Sequence, residues 1–182
     1  MEYIGNRISI KHKENELSII VLSQRDKTKN IMLSLWLLLW TIGGIIIFLE
    51  YFILTDANTK LAIVVWLGFW GYFEFKIFKA LLWRKSGIEK IKLRDNKLFY
   101  KRDTSGRGKI KVFEFDFIKD LRLTEQKEKG FFESLNNSYW VIAREKISFD
   151  YYGKEIKIAI QLDDAEAKQL LKLLKKEFSN HS

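Results

Sequence analysis

The sequence predicts an α+β membrane protein, a two-helix transmembrane hairpin joined to a cytoplasmic antiparallel β domain that ends in a helix. Three observations predict it. Ile31–Leu49 carries no ionisable side chain and its apolar pattern runs on to Leu54; Leu61–Phe73 is again uncharged. From Gly87 the apolar period switches to two, as on half-buried strands. Asp163–Phe178 then returns to helical spacing.

The length of the apolar runs decides the first element. About 20 apolar residues span the hydrocarbon of a bilayer as a helix, the form in which a single segment satisfies its own backbone there. Residues 31–54 meet that length. Residues 61–83 meet it if Lys76 and Lys79 carry their ammonium groups out to the interface. The link Thr55–Lys60 (TDANTK) is polar and makes a tight turn. The competing structure, a buried hairpin in a soluble domain, has to enclose a run with no polar face. A cleaved signal peptide does not fit, because thirty mostly polar residues precede Ile31.

Charge sets the orientation. The net charge is +9, of which residues 1–30 hold six basic and four acidic side chains, residues 31–85 five and three, and the remainder the rest. Arg25, Lys27 and Lys29 precede the first apolar run, and Lys76, Lys79, Arg84 and Lys85 close the second; the link is neutral. By the positive-inside rule both termini are cytoplasmic and the chain is multi-pass in the cytoplasmic membrane. A basic balance otherwise suggests nucleic acid. Beside apolar spans the same lysines are a topology signal, so no nucleic-acid partner is expected.

Residues 1–30 precede the hairpin. Within them, Arg7–Ser23 reads as two short strands around Lys13–Asn15, with alternation at Ile8 and Ile10 and a β-branched run from Leu17 to Leu22. Two strands alone are marginal in water. They therefore either join a sheet beyond the hairpin, which places the membrane segment (31–84) inside a β domain, or form a loose arm at the membrane surface.

Inside the hairpin, antiparallel neighbours have residue numbers summing to about 115. This sets Gly44 level with Gly71 and Thr41 level with Glu74, with Gly68 on the same helix face as Gly71 and Glu74. Small residues let membrane helices approach and polar side chains bond across the contact. Gly44 is expected to pack on Gly71, and Thr41 to hydrogen-bond Glu74. An intramembrane acid is either such a structural partner or an ion or proton site in an oligomer. Five of the six tryptophans lie in this region; Trp36 and Trp83 suit an inner interfacial belt.

The β domain spans 87–179. Ile88–Arg94 and Lys97–Arg102 flank Asp95-Asn96, a pair suited to the positive backbone angles of a tight turn. A second turn, Thr104–Gly108, leads to Lys109–Phe115, and Phe113, Phe115 and Phe117 alternate as on a half-buried strand. Phe117–Thr124 is a short strand, and 125–138 has little pattern apart from a short helix around Phe131–Leu135. Lys146–Tyr151 and Ile156–Leu162 form the final hairpin around Tyr152–Lys154. Asp163 with Glu166 three residues on makes a capping box for helix 163–178, whose stripe is Ala167, Leu170, Leu171, Leu174 and Phe178.

Strands closed by one amphipathic helix, together with Lys146–Leu171 (KISFDYYGKEIKIAIQLDDAEAKQLL), Phe131–Trp140 (FFESLNNSYW) and the preceding hairpin, resemble the bacterial membrane-tethered pleckstrin-homology (PH)-like proteins. The layout is also similar to that of the two-helix, PH-like photosystem I assembly factor. The resemblance implies a binding or assembly role without an activity. The strand pair before the hairpin departs from the simplest layout, in which the soluble domain is wholly C-terminal.

The residues themselves point the same way. There is no cysteine, and His12 and His181 stand apart, so thiolate and imidazole metal sites are not expected. Nucleotide-binding and nucleophile motifs are missing, and TSGRG (Thr104–Gly108) lacks the helix a phosphate cradle uses. The carboxylates of the strands read as solvent-facing. The expected function is a non-catalytic scaffold or assembly module for a protein partner, without cofactor, on a lipid bilayer, with homo-oligomerisation open. Two alternatives stand beside it. One is recognition of anionic lipid headgroups by Arg25, Lys27, Lys29, Lys76, Lys79, Arg84 and Lys85. The other is an oligomeric ion or proton pathway through Glu74.

Overall fold

A computed structural model of the chain describes residues 1–23, 26–124 and 145–180. In order, the elements are strands β1 (Glu2–Ile4), β2 (Ile8–Lys13) and β3 (Glu16–Leu22), helices α1 (Lys27–Ile53) and α2 (Ala57–Ser86), and strands β4 (Gly87–Arg94), β5 (Lys97–Thr104) and β6 (Ile110–Glu114). A 3₁₀ turn (Phe115–Phe117) leads to β7 (Ile118–Leu123), β8 (Glu145–Tyr151), β9 (Lys154–Ile160) and helix α3 (Asp164–Asn180). The short helix anticipated around Phe131–Leu135 and the segment Phe131–Trp140 lie outside the described residues.

Alternating side chains explain the strands. In β4, Gly87, Glu89, Ile91 and Leu93 face inward while Lys90 and Arg94 are exposed. Asp95 and Asn96 take the left-handed backbone (φ 51° and 58°) that a two-residue hairpin turn requires, fixing Arg94 opposite Lys97. The first six strands form one antiparallel sheet in the order β1-β2-β3-β4-β5-β6, and the last three form a second, β7-β8-β9. Both sheets and α3 share one core, which includes Ile8, Ile19, Ile91, Leu98, Phe149, Ile158, Leu170 and Leu174. Asp163 Oδ1 accepts from Glu166 N at 2.7 Å and Glu166 Oε2 from Asp163 N at 3.2 Å, the reciprocal cap of α3.

The strands before and after the two long helices are sheet neighbours. β3 pairs with β4 over seven residue pairs, from Glu16↔Arg94 to Leu22↔Ile88, and Ser23 N donates to Gly87 O at 3.0 Å. The helical hairpin is thus an insertion between two adjacent strands.

Both helices are long and apolar enough to cross a membrane. Each starts on an aspartate: Asp26 accepts from Lys29 N, and Asp56 accepts from the backbone N and the hydroxyl of Thr59. The second cap starts α2 four residues ahead of Leu61, and α2 also runs three residues past Trp83, to Ser86.

Three expectations are corrected here. Gly44 packs on the Trp70 indole instead of on Gly71: a Cβ at Gly44 would overlap that ring, whereas Gly68 and Gly71 face open space. Trp70 Nε1 donates to Trp40 O at 3.1 Å, so the indole lies across the α1 backbone and fills the gap that two glycines would have closed. Phe117 is 39 % exposed while Phe113 and Phe115 are buried. The strand breaks there because Phe115 N donates to Asn96 O and Asn96 Nδ2 to Asp116 Oδ1, which turns the chain toward the second sheet. Trp83 is 2 % exposed inside the β domain and is no interfacial residue, because α2 carries it past the end of the apolar run into the sheet.

Overfilling a packed contact costs about 1–3 kcal/mol. Gly44→Leu is therefore expected to destabilise the hairpin by about that amount. Gly71→Leu, pointing into open space, should stay within about 0.5 kcal/mol. Tryptophan-fluorescence unfolding in detergent micelles measures both.

Candidate functional site

The charged centre of the molecule lies where α2 enters the sheet. Glu89 shares the inward parity of Ile91 and Leu93 and is 0 % exposed. Tyr100 Oη donates to its Oε1 at 2.5 Å, Ile160 N to its Oε2 at 2.8 Å, and Arg102 Nη2 lies 3.5 Å from Oε1. Arg102 stands directly opposite Glu89 in the β4–β5 register, and Tyr100 one inward position further along. Burying a carboxylate is costly unless donors surround it, and here three do.

Arg102 carries the contacts on to other elements. Arg102 Nη2 also binds Glu145 Oε1 on β8 at 2.7 Å, and its guanidinium lies 5.6 Å from the Trp83 ring. Trp83 Nε1 donates to Gln161 Oε1 at 3.2 Å. The carbonyl of Gln161 accepts from Arg7 Nη2 at 2.8 Å, and the same nitrogen pairs with Glu166 Oε2 of α3 at 2.5 Å. One connected set of polar contacts therefore ties the end of α2 to both sheets, to the β1–β2 turn and to α3.

The backbone of β9 is bent to complete it. Ala159 (φ 63°) and Gln161 (φ 60°) are left-handed on either side of Ile160, the residue whose N–H reaches Glu89. Such a conformation costs a non-glycine residue roughly 1–2 kcal/mol. The bond to a buried carboxylate offsets that cost. Burial pushes the Glu89 carboxyl above its ordinary 4.5, against the pull of its hydrogen bonds. Burial and the neighbouring Glu89 charge push the Tyr100 phenol up as well.

This corrects the expectation that the strand carboxylates face solvent. The signal was present: Glu89 sits two residues before Ile91 and four before Leu93, at a core position. Its partner Ile160 lies 71 residues away. Enclosed on every side, Glu89 offers no face to a substrate; the arrangement clamps one sheet to the other.

The hairpin holds a second polar contact. Thr41 Oγ1 lies 2.6 Å from Glu74 Oε1 and 2.8 Å from Leu37 O. Glu74 Oε2 is buried with no hydrogen-bond partner among the described residues. Below this pair, Leu33, Leu37, Ile77 and Leu81 form a small core, so the start of α1 lies beside the end of α2.

That packing places Lys27, Lys29, Arg84 and Lys85 at one end of the hairpin, with Lys79 and Lys76 seven and ten residues before the end of α2. Lys27, Lys29 and Lys85 are exposed there, with Lys29 paired to Asp26 at 3.5 Å. Arg84 is half-buried and its carbonyl accepts from Ser23 Oγ. Lys76 and Lys79 lie over the rings of Tyr72 and Phe75, at 4.7 and 4.9 Å from their centroids. Arg25 lies outside the described residues. Among the described residues, no cluster of His, Asp or Glu has the makings of a metal site. Comparison with protein families, with curated proteins and with solved structures gives no match for this chain.

Removing one partner of a buried, hydrogen-bonded charge costs about 3–5 kcal/mol. Glu89→Ala is expected to lose that much in denaturant unfolding followed in micelles. A folded carboxyl held above its unfolded value binds its proton more tightly when folded. Its contribution to stability is therefore full below pH 4.5 and is lost as pH rises through the elevated folded value. The stability of the native chain relative to Glu89→Gln should accordingly fall with rising pH over that window, measured by the same unfolding series.

Proposed function

We propose that the chain is a non-catalytic binding module anchored in the cytoplasmic membrane of a bacterium, with a PH-like β domain that scaffolds or assembles a protein partner at the inner membrane surface. One observation carries this reading: the apolar hairpin is inserted between neighbouring strands β3 and β4, so anchor and head are one folded unit. A head built in this way is held close to the surface that its helices enter. Two packed antiparallel sheets closed by α3 support the PH-like assignment. The basic end of the hairpin supports a cytoplasmic side for both termini.

A second reading has an observation of its own. Lys27, Lys29 and Lys85 lie at the end of the hairpin nearest the β domain, where each cation adds about 1 kcal/mol of attraction to an anionic leaflet, with Lys79 and Lys76 seven and ten residues before the end of α2. In this reading the cluster recognises anionic headgroups. An ion or proton pathway through Glu74 needs several copies, since two helices enclose no channel.

The absence of cysteine makes topology directly measurable. In intact cells, Asn58→Cys should react with a membrane-impermeant maleimide, and Asn96→Cys only after lysis; the reverse pattern, or equal labelling, overturns the orientation. Crosslinking in native membranes is expected to recover a specific protein partner. Its consistent absence, together with binding to anionic vesicles that Lys27→Glu/Lys29→Glu abolishes, would favour the lipid reading.

A further inference from the structure

The six-stranded sheet ends at β6, and that edge combines features that point to an occupant. Among the described residues no strand pairs with its outer side. Ile110 and Val112 are 63 % and 47 % exposed on the outer face. Val112 stands opposite the half-buried Phe99 of β5, and Ile110 opposite Lys101. Alongside runs a groove of about 420 Å³ lined by Lys90, Lys92, Arg94, Phe99, Lys101 and Ile110.

Apart from the exposed Glu114 at the end of β6, the charges of the edge sort into two groups. The groove cations already hold acids: Lys92 pairs with Glu16, Lys90 and Lys101 with Asp103, and Arg94 with Asp95. Arg107, Lys109 and Lys111 are exposed and make no ion pair among the described residues. They lead into β6 or lie on it. A second copy docking edge to edge would set these cations against one another, and like charges facing across strands destabilise the pairing. Lysine on an open edge thus keeps the chain from pairing with itself, and the same charge attracts an acidic strand.

We infer that β6 is a docking edge for an extended acidic segment of a partner protein, one whose carboxylates alternate with β-branched or aromatic residues. The segment adds as a seventh strand about 4.8 Å beyond β6. Its backbone takes the open hydrogen-bonding positions of β6. Its apolar side chains cover Ile110 and Val112 and reach the Phe99 groove, and its carboxylates meet Arg107, Lys109 and Lys111. The inference rests on the protein-binding role proposed above and names the surface and the chemistry of the partner.

The test uses the full chain in phosphatidylcholine nanodiscs and three fluorescent eight-residue peptides. One alternates glutamate with valine, one lysine with valine, and the third repeats the first with alternate amides N-methylated. Fluorescence anisotropy should show binding of the glutamate peptide alone. Lys109→Glu/Lys111→Glu, both on exposed positions, should weaken that binding by about tenfold or more. Amide exchange across Ile110–Glu114 should slow in the complex. Failure of the glutamate peptide to bind, equal binding of either control, or indifference to the double charge reversal overturns the inference. A photo-crosslinker placed at Val112 and, separately, at Tyr152 in native membranes distinguishes the two levels. A partner caught only from Tyr152 refutes the edge and leaves the scaffold role standing; one caught from neither refutes both.

Discussion

Two helices have to be delivered to two adjacent strands, and the geometries do not match. Packed helices stand about 8–10 Å apart, whereas neighbouring strands are about 4.8 Å apart. The molecule resolves the mismatch unequally. On the α1 side β3 ends at Leu22 and the helix begins only at Lys27. On the α2 side nothing intervenes: Ser86 ends the helix and Gly87 begins β4. Gly87 is there for space, since a Cβ would overlap Trp83. From this joint follow the burial of Trp83, the contact of its ring with Arg102 and the placing of Glu89 two residues into the strand.

Glu89 turns that joint into a fixed relation between the sheets. Its carboxylate joins β4 to β5 through Tyr100 and Arg102, and to β9 through Ile160. A buried ion is a poor source of net stability, because its desolvation consumes most of what the contacts return. What it contributes is selectivity among packings: two hydrophobic faces can slide over each other at little cost, while a buried carboxylate without its donors cannot be tolerated. The left-handed Ala159 and Gln161 are the local strain that this alignment imposes.

Much of the architecture is local in origin and could be read from the sequence. Asp95-Asn96 specifies its turn through two adjacent residues, Asp163 and Glu166 cap a helix across three, and the β4, β8 and β9 alternations repeat every second position. The features that escaped depend on distant partners. β1 has three residues and is a strand only because Glu2–Ile4 lies against β2, after a turn at Gly5 with φ 57°. Glu89 was visible as a polar residue in an inward register, but its meaning required Ile160 and Arg102. In the hairpin, the level of contact between Thr41 and Glu74 followed from helical arithmetic. Which side chain fills the gap at Gly44 did not, since Trp70 and Gly71 are neighbours and only the helix rotation chooses between them.

The direct passage from α2 into β4 has a mechanical consequence. With no spacer to act as a swivel, the azimuth of the β head is dictated by how a single helix is turned about its own long axis. One residue of helical rotation is about 100°, so a slight roll of α2 sweeps the rim of the head through a large arc. The head is steered from its stem, and whatever grips the stem decides which way it looks.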